Sequence, residues 1–460
     1  MNRNRALALI VVLTALVLRS PVHAQANKVW TDQDIQELAK PATVPLPVGT
    51  KITQQNWEQY QGYMIESMRV LFRGDHHFKM PPGVEIVVGP HTPLPLPKLF
   101  QAATEKYSGS AKLVPAPEFA PGALKMEGYR GGLAFPNPQE PNRGTKIEYT
   151  TWFTYSPAVD YLDDKFIVAD RFGDVTVEAA IAVEGKTSFV ADPGYAESNP
   201  KVPGYYYFEY IELTAPEELR YSTSLELWSI DQSQFPALYA FVPALRRVLR
   251  LSAAAVCSPI AGTDVTYDDG CTNQSNCQQI PLFDAKYLGE KKILQLVNMN
   301  PAAAAPGANG IQAFDSKYFY NSPAEFAAAG QWPFPKPSAG SWELRDVYVV
   351  ALRRLPSLRR GYCYGTRMFY IDKEDWRTKA VDFFDPQERY YKGSLIGYMP
   401  ERIPQTNDVF DEEVYGNFWS FEDWHGASGI FPQHQLNQNA GKYNDTTRYG
   451  SVAGLQQVMQ

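Results

Sequence analysis

Across 460 residues there are four cysteines, six histidines, no block of basic residues and no long apolar run beyond the first eighteen positions. Each shortage excludes something. Lys and Arg total 43 against 50 Asp and Glu, a formal net charge of −7, so no cationic face for nucleic acid is expected. No later segment has the pattern of a membrane-spanning helix. The cysteines form no CxxC pair and have no histidine beside them, which argues against a zinc site. His76-His77 beside Asp75 resembles a metal constellation, but adjacent strand residues point to opposite sides, so the segment reads as a polar surface turn. GxSxG, HExxH, a P-loop and the dinucleotide fingerprint are all missing. No catalytic residue, cofactor or metal is therefore assigned. Asp264, Asp268, Asp269 and Gly270 do not fit the calcium-loop spacing and read as a solvated turn.

The N-terminus reads as an export address. Arg3 and Arg5 precede the apolar run Ala6 to Leu18, and Val22-His23-Ala24 supplies small residues before Gln25. This is the order of a cleavable signal peptide over residues 1–24, with no lipidated cysteine after it. The mature chain is expected in the periplasm. Export and an even number of cysteines predict disulfides, in any of three pairings. The short polar loop Cys271 to Cys277 is the bridge the spacing favours.

The rest reads as mainly β, an α+β domain over residues 25–460. Residues 25–144 are helical and irregular, 145–400 carry the sheet and 401–460 form an irregular tail. Trp342 to Arg354, Tyr362 to Ile371 and Thr378 to Phe384 make an antiparallel meander, dense in Val, Tyr and Phe and punctuated by Pro356-Ser357 and Asp372-Lys373-Glu374-Asp375. Further strands are expected at 146–155, 165–171, 175–184, 205–213, 219–230, 236–251 and 291–297. Helices are expected at 31–39, 54–72 and 99–107.

Candidate ligand contacts follow from faces. Leu219, Tyr221, Leu225 and Leu227 share one side of a strand, with Arg220, Ser222, Ser224 and Glu226 on the other. Tyr206, Phe208 and Tyr210 share a side of the preceding strand. A strand aromatic on both faces is covered on both, one cover being a second layer or a bound apolar molecule. Met64 and Met68 lie on an apolar helix stripe that packs either as core or against a ligand of variable shape. Arg246, Arg247 and Arg250 form one arginine cluster and Arg353, Arg354, Arg359 and Arg360 another. They are charge at strand ends or a rim for an anionic head group.

Several blocks resemble the DUF1329 family of Gram-negative envelope proteins. They include Asn56-Trp57 through Phe72, Gly89-Pro90 to Tyr107, Gly128 to Pro138, Pro243-Ala-Leu-Arg-Arg-Val248, Tyr267-Asp-Asp-Gly270, Tyr287-Leu-Gly-Glu-Lys-Lys292 and the meander from Ser341. The family is regarded as related to the outer-membrane lipoprotein-sorting proteins. The resemblance implies a large curved antiparallel sheet or half-open barrel with helices on its concave side. It also implies an RND-type inner-membrane exporter as a partner. The expected function is a non-catalytic periplasmic binding or carrier protein for a hydrophobic or amphipathic, lipid-like molecule. The alternatives are an envelope enzyme with a dispersed site and a structural partner of an export complex. The expected cavity lies between sheet and helices, roofed by 54–72, lined by Met64, Met68, Tyr206, Phe208, Tyr210, Tyr221, Leu225 and Leu227, with Arg246 or Arg247 near its mouth.

Overall fold

Alternating apolar and polar residues demand strands, and strands dominate. The computed structural model describes residues 28–75, 79–170, 174–231, 234–252, 256–259, 265–266, 268–269, 280–300, 316–321, 334–420, 425–430 and 435–455, with single residues 172, 303, 330 and 457. The expected signal peptide and the Cys271–Cys277 loop lie outside them.

Two ribbons precede the main sheet, β1 (Lys51–Thr53) with β2 (Glu85–Val87) and β3 (Lys112–Pro115) with β4 (Leu124–Glu127). The main sheet is two antiparallel meanders. The first is β5 (Val159–Asp170), β6 (Val175–Lys186), β7 (Tyr205–Ala215), β8 (Thr223–Ser229), β9 (Ala237–Val242) and β10 (Arg247–Leu251). The second is β11 (Phe283–Val297), β12 (Ser341–Arg354), β13 (Arg367–Asp372), β14 (Thr378–Phe384), β15 (Tyr390–Arg402), β16 (Val409–Ser420) and β17 (His425–Ile430). Pairing of β17 with β5 joins them into one sheet, and the short β18 (Gln435–Leu436) also pairs with β5.

The second meander curls. The amide of Met299, just past β11, donates to the Tyr398 carbonyl of β15 at 3.0 Å. The Gln295 side chain reaches the Ile396 carbonyl on the same face. These strands are not neighbours in the sheet, so the curl closes β11 towards β15. The concave face carries the N-terminal helices α1 (Asp32–Leu38), α2 (Trp57–Tyr60) and α3 (Glu66–Arg73). Their apolar residues Ile35, Leu38, Trp57, Met68 and Phe72 pack with Val347, Val349, Met368 and Leu395 of the sheet. The opposite face is covered by α4 (Lys98–Tyr107) and α5 (Arg143–Trp152), through Phe100 and Ile147 against Val350, Phe369 and Val381. The first meander buries Phe208, Tyr210, Leu225 and Leu227 under α6 (Thr446–Tyr449) and α7 (Val452–Leu455).

The expected meander forms, its first and third strands close to the expected limits, while the second begins at Arg367 rather than Tyr362. Four expectations are corrected. Residues 146–155 are not a strand, because α5 spans Arg143–Trp152. Thr150 and Thr151 hydroxyls bond back to the carbonyls of Lys146 and Ile147 at 2.7 and 3.0 Å, and Gly144 lies so close to the Ala285 carbonyl that a Cβ there would collide. Packing thus overrides the strand preference of Thr and Tyr. The helix expected over 54–72 is broken. A 3₁₀ turn over Gln61–Tyr63 and an extended Met64 separate α2 from α3. Residues 236–251 form a hairpin, β9 and β10, around a turn at Pro243–Leu245. The region past 401 is not without regular structure, since it supplies β16 and β17.

A disulfide joins Cys257 to Cys363. It fastens the loop containing Asp268 and Asp269 to the segment between β12 and β13. Those acids are buried and paired rather than solvated. Asp268 meets Arg367 at 3.4 Å and accepts from Tyr362, while Asp269 meets Lys392 and accepts from Tyr364 at 2.9 Å.

Candidate functional site

Where the first meander meets α5 there is a narrow cleft with a cavity volume of about 20 Å³. Its walls are Tyr129, Trp152, Phe153, Phe189, Tyr206, Tyr207 and Trp228, with Ser156, Lys186 and Ser188. Seven of the ten wall residues are therefore aromatic, and Lys186 is the one cationic residue among them. The rings come from different elements. Trp152 is the last residue of α5 and Phe153 its C-cap. Tyr206 and Tyr207 open β7, and Trp228 lies near the end of β8 opposite Tyr207. Lys186 ends β6, also opposite Tyr207.

A register break brings both tyrosines to the cleft. Between β7 and β8 the pairing slips between Tyr205 and Tyr207, giving a bulge at Tyr206. Strict alternation would place Tyr206 with Phe208 and Tyr210. The bulge instead groups Tyr206 with Tyr207, Trp228 and Trp152. Ring contacts fix the walls. Trp152 stands edge-on to Tyr206 and to Trp228 at centroid distances of 6.2 and 6.4 Å, and Tyr207 lies 5.4 Å from Trp228. Such pairs add about 0.5–1.5 kcal/mol each beyond burial, which stiffens the walls.

The polar groups on these walls are mostly donors. The Ser188 hydroxyl donates to the Tyr205 carbonyl at 2.9 Å, the Tyr129 hydroxyl to the Gly132 carbonyl at 2.7 Å and the Tyr207 hydroxyl to Glu184. Lys186 is only 8% exposed. Its Nζ has a single long bond to the Thr154 carbonyl at 3.4 Å and lies 5.7 and 5.9 Å from the rings of Phe100 and Tyr155. Among the described residues no carboxylate forms an ion pair with it. Burial pulls its ammonium down to about 8, partly offset by Asp192 and reinforced by Arg377. Asp192, which favours the charged lysine through space, also accepts from the Tyr155 hydroxyl at 2.9 Å and the Ala158 amide at 2.7 Å. Trp152 and Trp228 are 6% and 3% exposed, and neither indole N–H has an acceptor among the described residues.

Residues 51–418 match the family described as "Protein of unknown function (DUF1329)". The chain belongs to the DUF1329 family. No curated protein matches it. Solved structures similar to the DUF1329 chain include the following three. One is a putative outer membrane lipoprotein-sorting protein domain from Vibrio parahaemolyticus, at 12% identity and a TM-score of 0.42, covering 64% of this chain and 92% of that one. Another is a DUF1329 family protein from Desulfovibrio piger, at 10% identity and a TM-score of 0.42, covering 66% and 97%. The third is a LolA superfamily protein from Nitrosomonas europaea, at 10% identity and a TM-score of 0.35, covering 64% and 93%.

The DUF1329 chain scatters the residues that sequence reasoning grouped. Met64 and Met68, each 1% exposed, lie in the packed core under the concave face. Phe208, Tyr210, Leu225 and Leu227 do share one side of the first meander, but Ala440, Tyr449 and Leu455 of the C-terminal segment cover it. The 54–72 segment is on the other meander and does not roof them. Tyr221 precedes β8 in a left-handed turn with φ of 68° and lies outside that face. Arg246 and Arg247 are exposed beside Val242, at the end of β9 where Phe241 pairs with Thr223 of β8, whereas Trp228 is at the far end of β8. They are not at the mouth of the cleft. Of the residues proposed from sequence, Tyr206 lines it. Lys186, Trp152 and Trp228 were missed. They are separated by tens of residues, and only the turn of α5 and the register of three strands bring them together.

Proposed function

We propose that this DUF1329 protein is a binding or carrier protein for a hydrophobic or amphipathic molecule, and that the aromatic cleft beside α5 is its seat. The observation that carries the reading is the composition of the walls, seven aromatic residues among ten. Predominantly apolar walls with a few fixed polar groups are what ligand sites use for affinity and orientation. Apolar contact is worth about 25 cal/mol per Å² buried before the ordering costs of binding. The Cys257–Cys363 bridge supports an oxidising compartment, here the periplasm. An RND-type exporter is the partner to which such a carrier would hand its load.

The test uses a neutral apolar fluorophore, N-phenyl-1-naphthylamine, with native mass spectrometry of protein released from the periplasm. The wild type is expected to bind at micromolar concentration. Phe189→Ala, at a half-buried wall position, is expected to weaken binding about fivefold or more by removing contact area. No binding by folded wild type, or unchanged binding by Phe189→Ala, would remove this cleft as the ligand seat.

A further inference from the structure

One edge of the main sheet is both apolar and cationic. Residues 232–263 contain no Asp or Glu, and their only charges are Arg246, Arg247 and Arg250, in a chain whose net charge is −7. The hairpin of β9 and β10 gathers these arginines at the end of the sheet, where β10 pairs with β9 alone among the described residues. All three are exposed, and none forms an ion pair among the described residues. Leucines stand between them. Of the nine exposed large apolar residues among those described, Leu245, Leu249 and Leu251 lie on this hairpin. Ile230 and Phe235 lie on the β8–β9 connection, beside the end of β10 where Leu251 pairs with Leu238.

The register sends these side chains in every free direction. Val248 packs on the core under α6 and α7, opposite Phe241. Arg250 shares that side, opposite Tyr239, while Arg247, Leu249 and Leu251 take the other. Leu245 and Arg246 stand at the turn, where Leu245 is 56% exposed. Apolar side chains gathered on a surface in this way mark a contact site.

We propose that the β9–β10 hairpin docks the protein on an anionic lipid bilayer, its leucines entering the head-group region and its arginines meeting lipid phosphates. The proposal is independent of the aromatic cleft. Arg binds phosphate through paired N–H bonds, and its long stem keeps the charge at head-group level while apolar neighbours sink deeper. One weak signal gives only marginal membrane binding, whereas apolar contact and a cationic cluster together hold a protein there. Charge argues against a second copy as the occupant, since edge-to-edge pairing would set two groups of arginines against each other. A strand of another protein added to β10 would leave Leu245, Ile230 and Phe235 bare. A bilayer covers all of them.

The experiment sediments the full mature chain with vesicles of phosphatidylcholine, alone or with roughly one-third phosphatidylglycerol. Wild type is expected to bind the anionic vesicles at least about tenfold more tightly than the neutral ones, and to lose that margin in about 1 M salt. Arg246→Gln, Arg247→Gln and Arg250→Gln together are expected to abolish the preference. Lys40→Gln, Lys98→Gln and Arg360→Gln together remove as much charge from exposed sites elsewhere, and are expected to keep it. Leu245→Ser with Leu249→Ser is expected to weaken binding about fivefold or more. The proposal is overturned if folded wild type binds neither vesicle or both equally. It is also overturned if either hairpin variant binds as wild type does, or if the distant variant loses as much as the arginine variant. Hydrogen exchange of wild type locates the contact even where a variant fails to fold. Slowed exchange over 243–251 on anionic vesicles supports the docking, and slowing confined to other segments refutes it.

Discussion

Glu226 stands opposite Glu209, Glu209 opposite Glu184 and Glu184 opposite Asp160, so four neighbouring strands present one carboxylate each in a row. Like charges directly across strands are unfavourable. The row ends where the cleft begins, since Tyr207 in the cleft wall donates to Glu184. Burial pushes the Glu226 carboxyl up to about 7. The sign of its contribution follows from linkage. Between the ordinary glutamate range and about 7 the folded state holds a proton that the unfolded chain has released. Stability from this group is therefore full in acid and falls as pH rises to about 7. Glu226→Gln should remove that slope. Its stability should be close to wild type near pH 5 and greater near pH 7.5, by on the order of 1–3 kcal/mol, with a correspondingly higher melting temperature. Thermal melts of both proteins across that range check it, and parallel curves would refute it. Little of this was legible in the sequence. Alternation correctly placed Glu226 opposite in sense to buried Leu225, on a side that is partly exposed, but it did not show the row of facing carboxylates. The cleft residues were less legible still, because a lone lysine at the end of Val183-Glu-Gly-Lys186 carries no local signal.

At the scale of elements, α3 begins without a capping side chain of its own, Ile65 being its N-cap. The cap comes from the sheet. Asp382 of β14 accepts from the Glu66 amide at 3.0 Å and the Ser67 amide at 2.8 Å, and also from the Ser67 and Tyr370 hydroxyls. A carboxylate at a helix N-terminus satisfies orphan donors and meets the positive end of the helix dipole. Gly393 leaves the room, since a Cβ there would run into the Ser67 side chain. Asp382→Ala should therefore cost about 2–4 kcal/mol, more than a surface cap, because four buried donors lose their acceptor. Asp382→Asn should cost less, as it retains one acceptor oxygen. Urea unfolding measures both, and an alanine variant as stable as wild type would show that α3 docks without this bond. The same scale shows what could be read in advance. The β12 to β14 meander was legible because period, turn residues and β-propensity agree there. Residues 146–155 misled because Thr, Tyr and Trp favour a strand, while the helix depends on packing against β11, which Gly144 permits by its lack of a side chain. The bulge at Tyr206 has no signature in Gly204-Tyr-Tyr-Tyr-Phe, and one slipped residue reassigns the face of every neighbour.

Across the whole molecule, the loop carrying Asp268 and Asp269 is a long-range fastening. The Cys257–Cys363 bridge closes a span of 106 residues. Beside it, Asp269 accepts from the Thr266 amide at 2.8 Å and from Tyr364, and holds the buried Lys392 of β15. One loop is thus tied to the β12–β13 connection by a covalent bond and to β15 by an ion pair. A bridge over so long a span contributes about 2–5 kcal/mol, chiefly by limiting the unfolded chain. Removing one partner of a buried pair costs about 3–5 kcal/mol, because the other charge is left in a dry site. The two losses should not add. If the Cys257→Ser, Cys363→Ser variant lets the loop leave, Lys392 has already lost its acid, and Asp269→Asn then removes little more. Urea unfolding of the double-serine variant, of Asp269→Asn and of the triple variant tests this coupling. The triple variant should lose at least about 1 kcal/mol less than the sum of the separate losses. A strictly additive result would mean that the ion pair holds the loop in place without the disulfide, and that bridge and pair act as separate fastenings.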